Sequence, residues 1–182
     1  FGGHNCTFVP YTKWACDHLE EQMFPLETWG KEFVVARTEP QHMATFPIEP
    51  NVVRVLSGAD GNALTFNPAV RAPVTLNRGQ YVEFETTSDF VVRGTGPTLI
   101  SHFLVGQDYY SNDPDTWWGD PSMALMVPRE QFRTSYSFLV PDSVTYNWLN
   151  VVKPVGIGAP TVYLDGVAIP EASFSNAIGD SF

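Results

Sequence analysis

QYVEFET, residues 80–86, alternates without a break. Val82, Phe84 and Thr86 fall on one side of an extended chain and Tyr81, Glu83 and Glu85 on the other, because successive strand side chains point to opposite faces. The stretch reads as a half-buried antiparallel strand. Working outward, β-branched and aromatic runs recur at 32–38 (EFVVART), 51–57 (NVVRVLS), 63–67, 89–93, 98–105, 123–127, 134–140, 146–152, 161–164 and 167–169. Gly, Pro, Asn and Asp separate them. Asp60-Gly61 predicts a hairpin joining 51–57 to 63–67, and Asp165-Gly166 a two-residue hairpin joining 161–164 to 167–169. Strands in this number, with no helices alternating between them, predict an all-β chain built as an antiparallel β-sandwich. A parallel α/β sheet is excluded.

The first thirty residues differ. They hold the only cysteines, Cys6 and Cys16. A Cys6–Cys16 disulfide is expected, which places the chain in an oxidising compartment; free thiols or a metal pair are the alternatives. Asp17-His18-Leu19-Glu20 has the pattern of a capping box, Leu19 and Met23 share a helical face, and Pro25 stops the run, so one short N-terminal helix is predicted. Asn5-Cys6-Thr7 fits the glycosylation sequon. The expected organisation is an N-terminal disulfide segment over 1–30 and a sandwich over 31–182, with 143–182 as a candidate start of a second β unit.

Composition narrows the function. The chain has 182 residues, 43% of them hydrophobic and only 16% charged, against about 25% charged in an average globular chain. Thirteen Phe, seven Tyr and five Trp are enough for a core and for an aromatic surface. The net charge is −10, and the basic residues never cluster. Nucleic acid, which needs a basic patch, is a poor partner, and anionic membranes are disfavoured likewise. No apolar stretch is long enough for a membrane helix. The chain starts at Phe1, so an upstream segment is expected to have been removed, either a secretory leader or part of a longer chain.

No nucleophile elbow, HExxH, Walker A or GxGxxG pattern occurs, and the chain is expected not to be an enzyme. His18 beside Glu20 and Glu21 reads as a solvated face before it reads as a metal pair, and His102 as a histidine within a sheet. The most unusual stretch is the loop at 106–121 (GQDYYSNDPDTWWGDP). Tyr109, Tyr110, Trp117 and Trp118 are the candidate binding residues, since these rings suit protein hot spots and sugars; the alternative is a lid over one end of the core. Asp108, Asp113, Asp115 and Asp120 are candidate ligands for calcium, which takes several oxygens from a flexible loop. Solvated turns are the competing account.

Five stretches carry a family resemblance: Thr28-Trp29-Gly30-Lys31-Glu32-Phe33-Val34-Val35, Val53-Arg54-Val55-Leu56-Ser57-Gly58-Ala59-Asp60-Gly61, Leu76-Asn77-Arg78-Gly79-Gln80-Tyr81-Val82-Glu83-Phe84, Phe138-Leu139-Val140-Pro141 and Tyr146-Asn147-Trp148-Leu149-Asn150-Val151-Val152. Together they resemble the IgGFc-binding-protein N-terminal domain family, and most closely its secreted bacterial members. The resemblance implies an extracellular, β-rich, non-catalytic domain and transfers no binding residue. The expected function is an extracellular or cell-surface adhesion module with a protein or glycan ligand. The alternative is a structural subunit of a filament or surface layer that self-assembles through strand edges.

Overall fold

In the computed structural model, residues 1–39, 48–109, 119–143, 147–156, 158–174, 177–180 and 182 are described. The strands are β1 (Gly2–Thr7), β2 (Asp17–Glu21), β3 (Gly30–Val35), β4 (Asn51–Ser57), β5 (Asn62–Asn67), β6 (Val74–Leu76), β7 (Tyr81–Thr86), β8 (Phe90–Leu104), β9 (Ser122–Leu125), β10 (Tyr163–Leu164) and β11 (Val167–Ala168). The runs at 89–93 and 98–105, read from sequence as two strands, are one fifteen-residue strand, β8. It is the axis of a seven-stranded antiparallel sheet.

β8 changes partners midway. Its first half lies between β3 and β5, with Phe33 and Phe66 both opposite Val92. Its second half lies between β4 and β9, with Val53 and Ala124 both opposite His102. β6 extends the sheet beyond β5, and β7 extends it beyond β4. The changeover spans Gly94-Thr95-Gly96-Pro97, where glycine and proline suit a bend in a strand. Asn62, itself buried, ties this corner together: its amide donates to the Thr98 hydroxyl at 3.0 Å, and its Oδ1 accepts from the Gly96 N–H at 2.8 Å. A Cβ on Gly94 would stand 2.7 Å from the Thr98 hydroxyl, so no larger residue fits there without a shift.

The sheet curls at the corner into a half-barrel, and the main core fills the concave side. Phe33, Val35, Val53, Val55, Leu64, Phe66, Phe90, Val92 and Ile100 meet there. Phe84 of β7 reaches across, with ring centroids 5.7 Å from Phe66 and 5.8 Å from Phe90. The predicted all-β, antiparallel class is observed, but in place of the expected sandwich of two sheets the core is enclosed by one curled seven-stranded sheet.

The convex side is covered by the ends of the chain. Val9 and Leu19 of the N-terminal segment pack on Val52, Phe103 and Val105. Phe182, Ile178 and Val152 pack on Val34 and Val91. β8 is therefore buried on both faces.

Three expectations are corrected. The helix predicted from Asp17 is strand β2, paired with β1. The disulfide brings residue 16 beside residue 6, so the chain leaving Cys16 runs antiparallel to the chain entering Cys6, and pairing overrides the capping pattern. The Asp60-Gly61 turn exists, with Gly61 at a φ of 67°, but β5 pairs with β8 and β6 rather than returning along β4. The run at 134–140 and the described part of 146–152 form no strand among the described residues. Alternation marks a strand only where a neighbour supplies hydrogen bonds. The Asp165-Gly166 hairpin forms as predicted, with Tyr163 opposite Ala168 and φ values of 50° and 81° in the turn.

Glu32 fastens β3 to its surroundings. Its Oε1 takes Arg93 of β8 at 2.9 Å, and its Oε2 takes Arg129 at 2.6 Å. Burial pushes this carboxyl upward, but the hydrogen bonds and charges of Arg129 and Arg93 outweigh it and hold the pKa below the ordinary value. The free edge of β3 is closed by the 3-10 turn Arg129–Gln131, where Glu130 accepts the Lys31 N–H at 2.8 Å.

Removing the Phe90 ring leaves a void in a closely packed interior. Phe90→Ala is expected to lower stability by about 3–5 kcal/mol in urea unfolding; a loss below about 1 kcal/mol would contradict its central place. His102 gives a second prediction. Its Nε2 is buried with no hydrogen-bond partner among the described residues, and burial lowers its pKa from 6.5 to about 4. The unfolded chain then binds more protons than the folded one between those values, so this contribution to stability is lost as pH falls from 6.5 toward about 4. Thermal melts of His102→Leu are expected to show a weaker pH dependence across that window than the unaltered chain, and equal slopes would refute the assignment.

Candidate functional site

The 106–121 loop leaves β8 directly beneath the N-terminal segment. Cys6 and Cys16 are joined, as expected, with Cα atoms 4.4 Å apart. Their bond closes a loop that holds Val9 and the fully buried Ala15 against the sheet. The Gly106 N–H donates to the Val9 carbonyl at 2.8 Å. A Cβ on Gly106 would lie 2.6 Å from that of Ala15, so the loop can start here only as glycine or after a shift of the disulfide loop.

The loop then turns, with the Tyr109 N–H donating to the Gly106 carbonyl at 3.0 Å. The Tyr109 ring packs on the cluster of Phe103 and Val105, and its hydroxyl donates to Glu85 of β7 at 2.8 Å. Tyr109 thus joins the loop to a second strand at the margin of the sheet. Asp108 is buried beside it, whereas Asp120 at the far end of the loop is exposed. An open hollow of about 500 Å³ adjoins this base, lined by Pro50, Val70, Glu85, Thr86 and Tyr109. Of the predicted site residues, Tyr110, Asp113, Asp115, Trp117 and Trp118 lie outside the described residues. Among the described residues, no group of three or more His, Cys, Asp or Glu side chains is arranged to hold a metal ion. His18 and Glu20 share a face of β2, with Nε2 and Oε2 3.0 Å apart on an exposed surface.

A larger hollow, about 620 Å³, lies at the other end of the sheet between β3 and the C-terminal segment, with Arg37, Asp89, Lys153, Glu171 and Phe174 in its wall. Its cations are engaged. Buried Lys153 reaches Glu171 at 2.6 Å and stands 4.4 Å from the centre of the Phe174 ring. Arg37 lies 3.7 Å from Asp89.

The sequence reading missed one surface. The segment after the Arg129–Gln131 turn exposes Tyr136, Phe138, Leu139 and Val140 at 64, 56, 93 and 46%. The signal was present, since the same alternation predicted a strand there; what it could not show is that no strand pairs with it among the described residues.

The described residues form a disulfide-pinned, all-β domain with a loop rooted in its core and an exposed apolar segment. The chain belongs to the IgGFc binding protein family, whose model matches residues 1–181. Comparison with curated proteins and with solved structures finds no match. Among the described residues, no helix is long and apolar enough to cross a membrane.

Because the disulfide seats the convex-side cover and the loop base, Cys6→Ser with Cys16→Ser is expected to cost about 3 kcal/mol. It should also speed hydrogen exchange at the Gly106 and Tyr109 amides more than at β8 amides. Equal acceleration throughout would show that the bond has no local role.

Proposed function

We propose that the chain is a non-catalytic, extracellular protein-binding module whose contact surface is the 106–121 loop. Membership of the IgGFc binding protein family carries this reading, and the disulfide agrees with an oxidising, extracellular setting. The rooting of the loop supports the choice of surface. Gly106 and Tyr109 fix its start against the disulfide segment and β7, and binding loops act best from a rigid scaffold. Four large aromatics in one polar loop then supply flat contact area at low entropic cost.

The family's name supplies the first probe, purified immunoglobulin Fc, with a panel of extracellular glycoproteins beside it. Trp117→Ala with Trp118→Ala is expected to weaken capture about tenfold or more while leaving the melting temperature unchanged. Binding that survives, with a melting temperature several degrees lower, would make these rings a core lid instead.

A further inference from the structure

Among the described residues β6, β7 and β9 each have a margin without a strand neighbour, and the chain carries a segment that fits the longest of these, β7. β7 ends the order β6-β5-β8-β4-β7, so among the described residues its outer edge has no strand neighbour. Such an edge presents unpaired N–H and C=O groups and accepts an added strand. The core is also thin here. Val82 and Phe84 point into the concave side but are only half-buried, whereas Val53 and Val55 opposite them on β4 are fully buried. The other flank of the sheet is closed differently, with Glu130 and Arg129 occupying the margin of β3.

Residues 134–140 have the complementary pattern. Tyr136, Phe138 and Val140 fall on one face of an extended chain, and Ser135, Ser137 and Leu139 on the other. Laid along β7, the first set would continue the row of Val82 and Phe84 over the core, and the serines and Leu139 would join Tyr81, Glu83 and Glu85 on the other side. Seven residues face a six-residue edge, and Pro141 ends the run. Within the chain itself this match is not made: Tyr136, Phe138, Leu139 and Val140 are exposed, and β4 is the strand paired with β7. The segment starts from the turn fixed on β3, and Phe132 is held against Phe182 with ring centroids 6.4 Å apart.

We propose that residues 134–140 act as a donor strand that adds to the β7 edge of a second copy of this chain. Each copy has one donor and one acceptor, so two copies exchanging strands close as a dimer, and one-way addition gives an open head-to-tail chain. Because each copy carries a net charge of −10, association strengthens as salt screens the repulsion. This self-association requires neither the 106–121 loop nor a foreign partner.

Light scattering over a concentration series tests it. The unaltered chain is expected to rise above the 20.2 kDa monomer mass, and more so at higher salt. Tyr136→Ser with Phe138→Ser removes the donor face, and Glu83→Pro blocks the acceptor edge; each variant alone should stay monomeric. Mixed one to one, they should form a single heterodimer that does not grow, because only one donor and one acceptor survive. A synthetic peptide of residues 133–141 should bind the donor-defective chain and dissociate the unaltered assembly, which keeps the test decisive if Glu83→Pro fails to fold. An unaltered chain that remains monomeric at every concentration overturns the proposal. So does assembly that persists in the donor variant, failure of the two variants to complement, or a peptide that does not bind.

Discussion

The structure depends on β8 being covered on both faces. Phe90, Val91 and Val92 are all buried, and so are Leu99, Ile100 and Phe103. A strand that is apolar on alternate positions needs one partner layer; a strand that is apolar throughout needs two. The curl supplies the inner layer by folding one half of the sheet over the other. The outer layer cannot come from the same sheet, so the ends of the chain provide it. Val9 and Leu19 cover one half of the convex side, and Phe182 with Ile178 covers the other. The disulfide is part of this solution, since the N-terminal cover contributes few apolar side chains of its own and is held in place by its cross-link.

The same requirement places the candidate binding loop. The chain leaves β8 where the N-terminal cover meets the sheet, and it is fastened there by a backbone hydrogen bond to Val9 and by the Tyr109 hydroxyl on Glu85. The features of residues 106–109 that look functional, namely an invading tyrosine and a glycine with no room for a side chain, are at this depth consequences of packing. Any recognition falls to residues farther along the loop. The acidic residues divide in the same way, with Asp108 buried at the base and Asp120 exposed at the exit.

The strands of the sheet were legible wherever the alternation was strict or the run was unbroken, as in β4, β5, β7 and β9. The joining of two runs into β8 was not, because Gly94-Thr95-Gly96-Pro97 carries every mark of a turn. Groups distant in sequence, Asn62, Ala63 and the Gly58 N–H, satisfy polar atoms of that corner and keep it in the sheet. The false helix at Asp17 has a similar cause. A capping pattern is local, and the cross-link from Cys6 to Cys16 imposes a neighbour that local patterns do not contain. The expected strand at 134–140 fails for the opposite reason. Its pattern is right, but a strand is a relation between two segments, and the described chain holds only one of them. Of the candidate site, the loop was visible in its composition, while its attachment to Val9 and Glu85 was not, since both partners are distant in sequence.

The position of β8 along the chain has a further consequence. Of the four strands that pair with it, β3, β4 and β5 precede it and only β9 follows. During synthesis, or passage through a translocation pore, those three strands emerge before their common partner exists. The β4–β7 and β5–β6 pairings can form early, as they draw only on earlier residues. The curled sheet itself cannot be assembled until residue 104 is free, and its outer flank waits for residue 125. A chain that emerges from its N-terminus therefore spends most of its length as apolar strands without their shared neighbour, the interval in which intermolecular pairing competes most strongly with folding. The early cross-link between residues 6 and 16 can close in that interval, before any of the surface it later covers has been built.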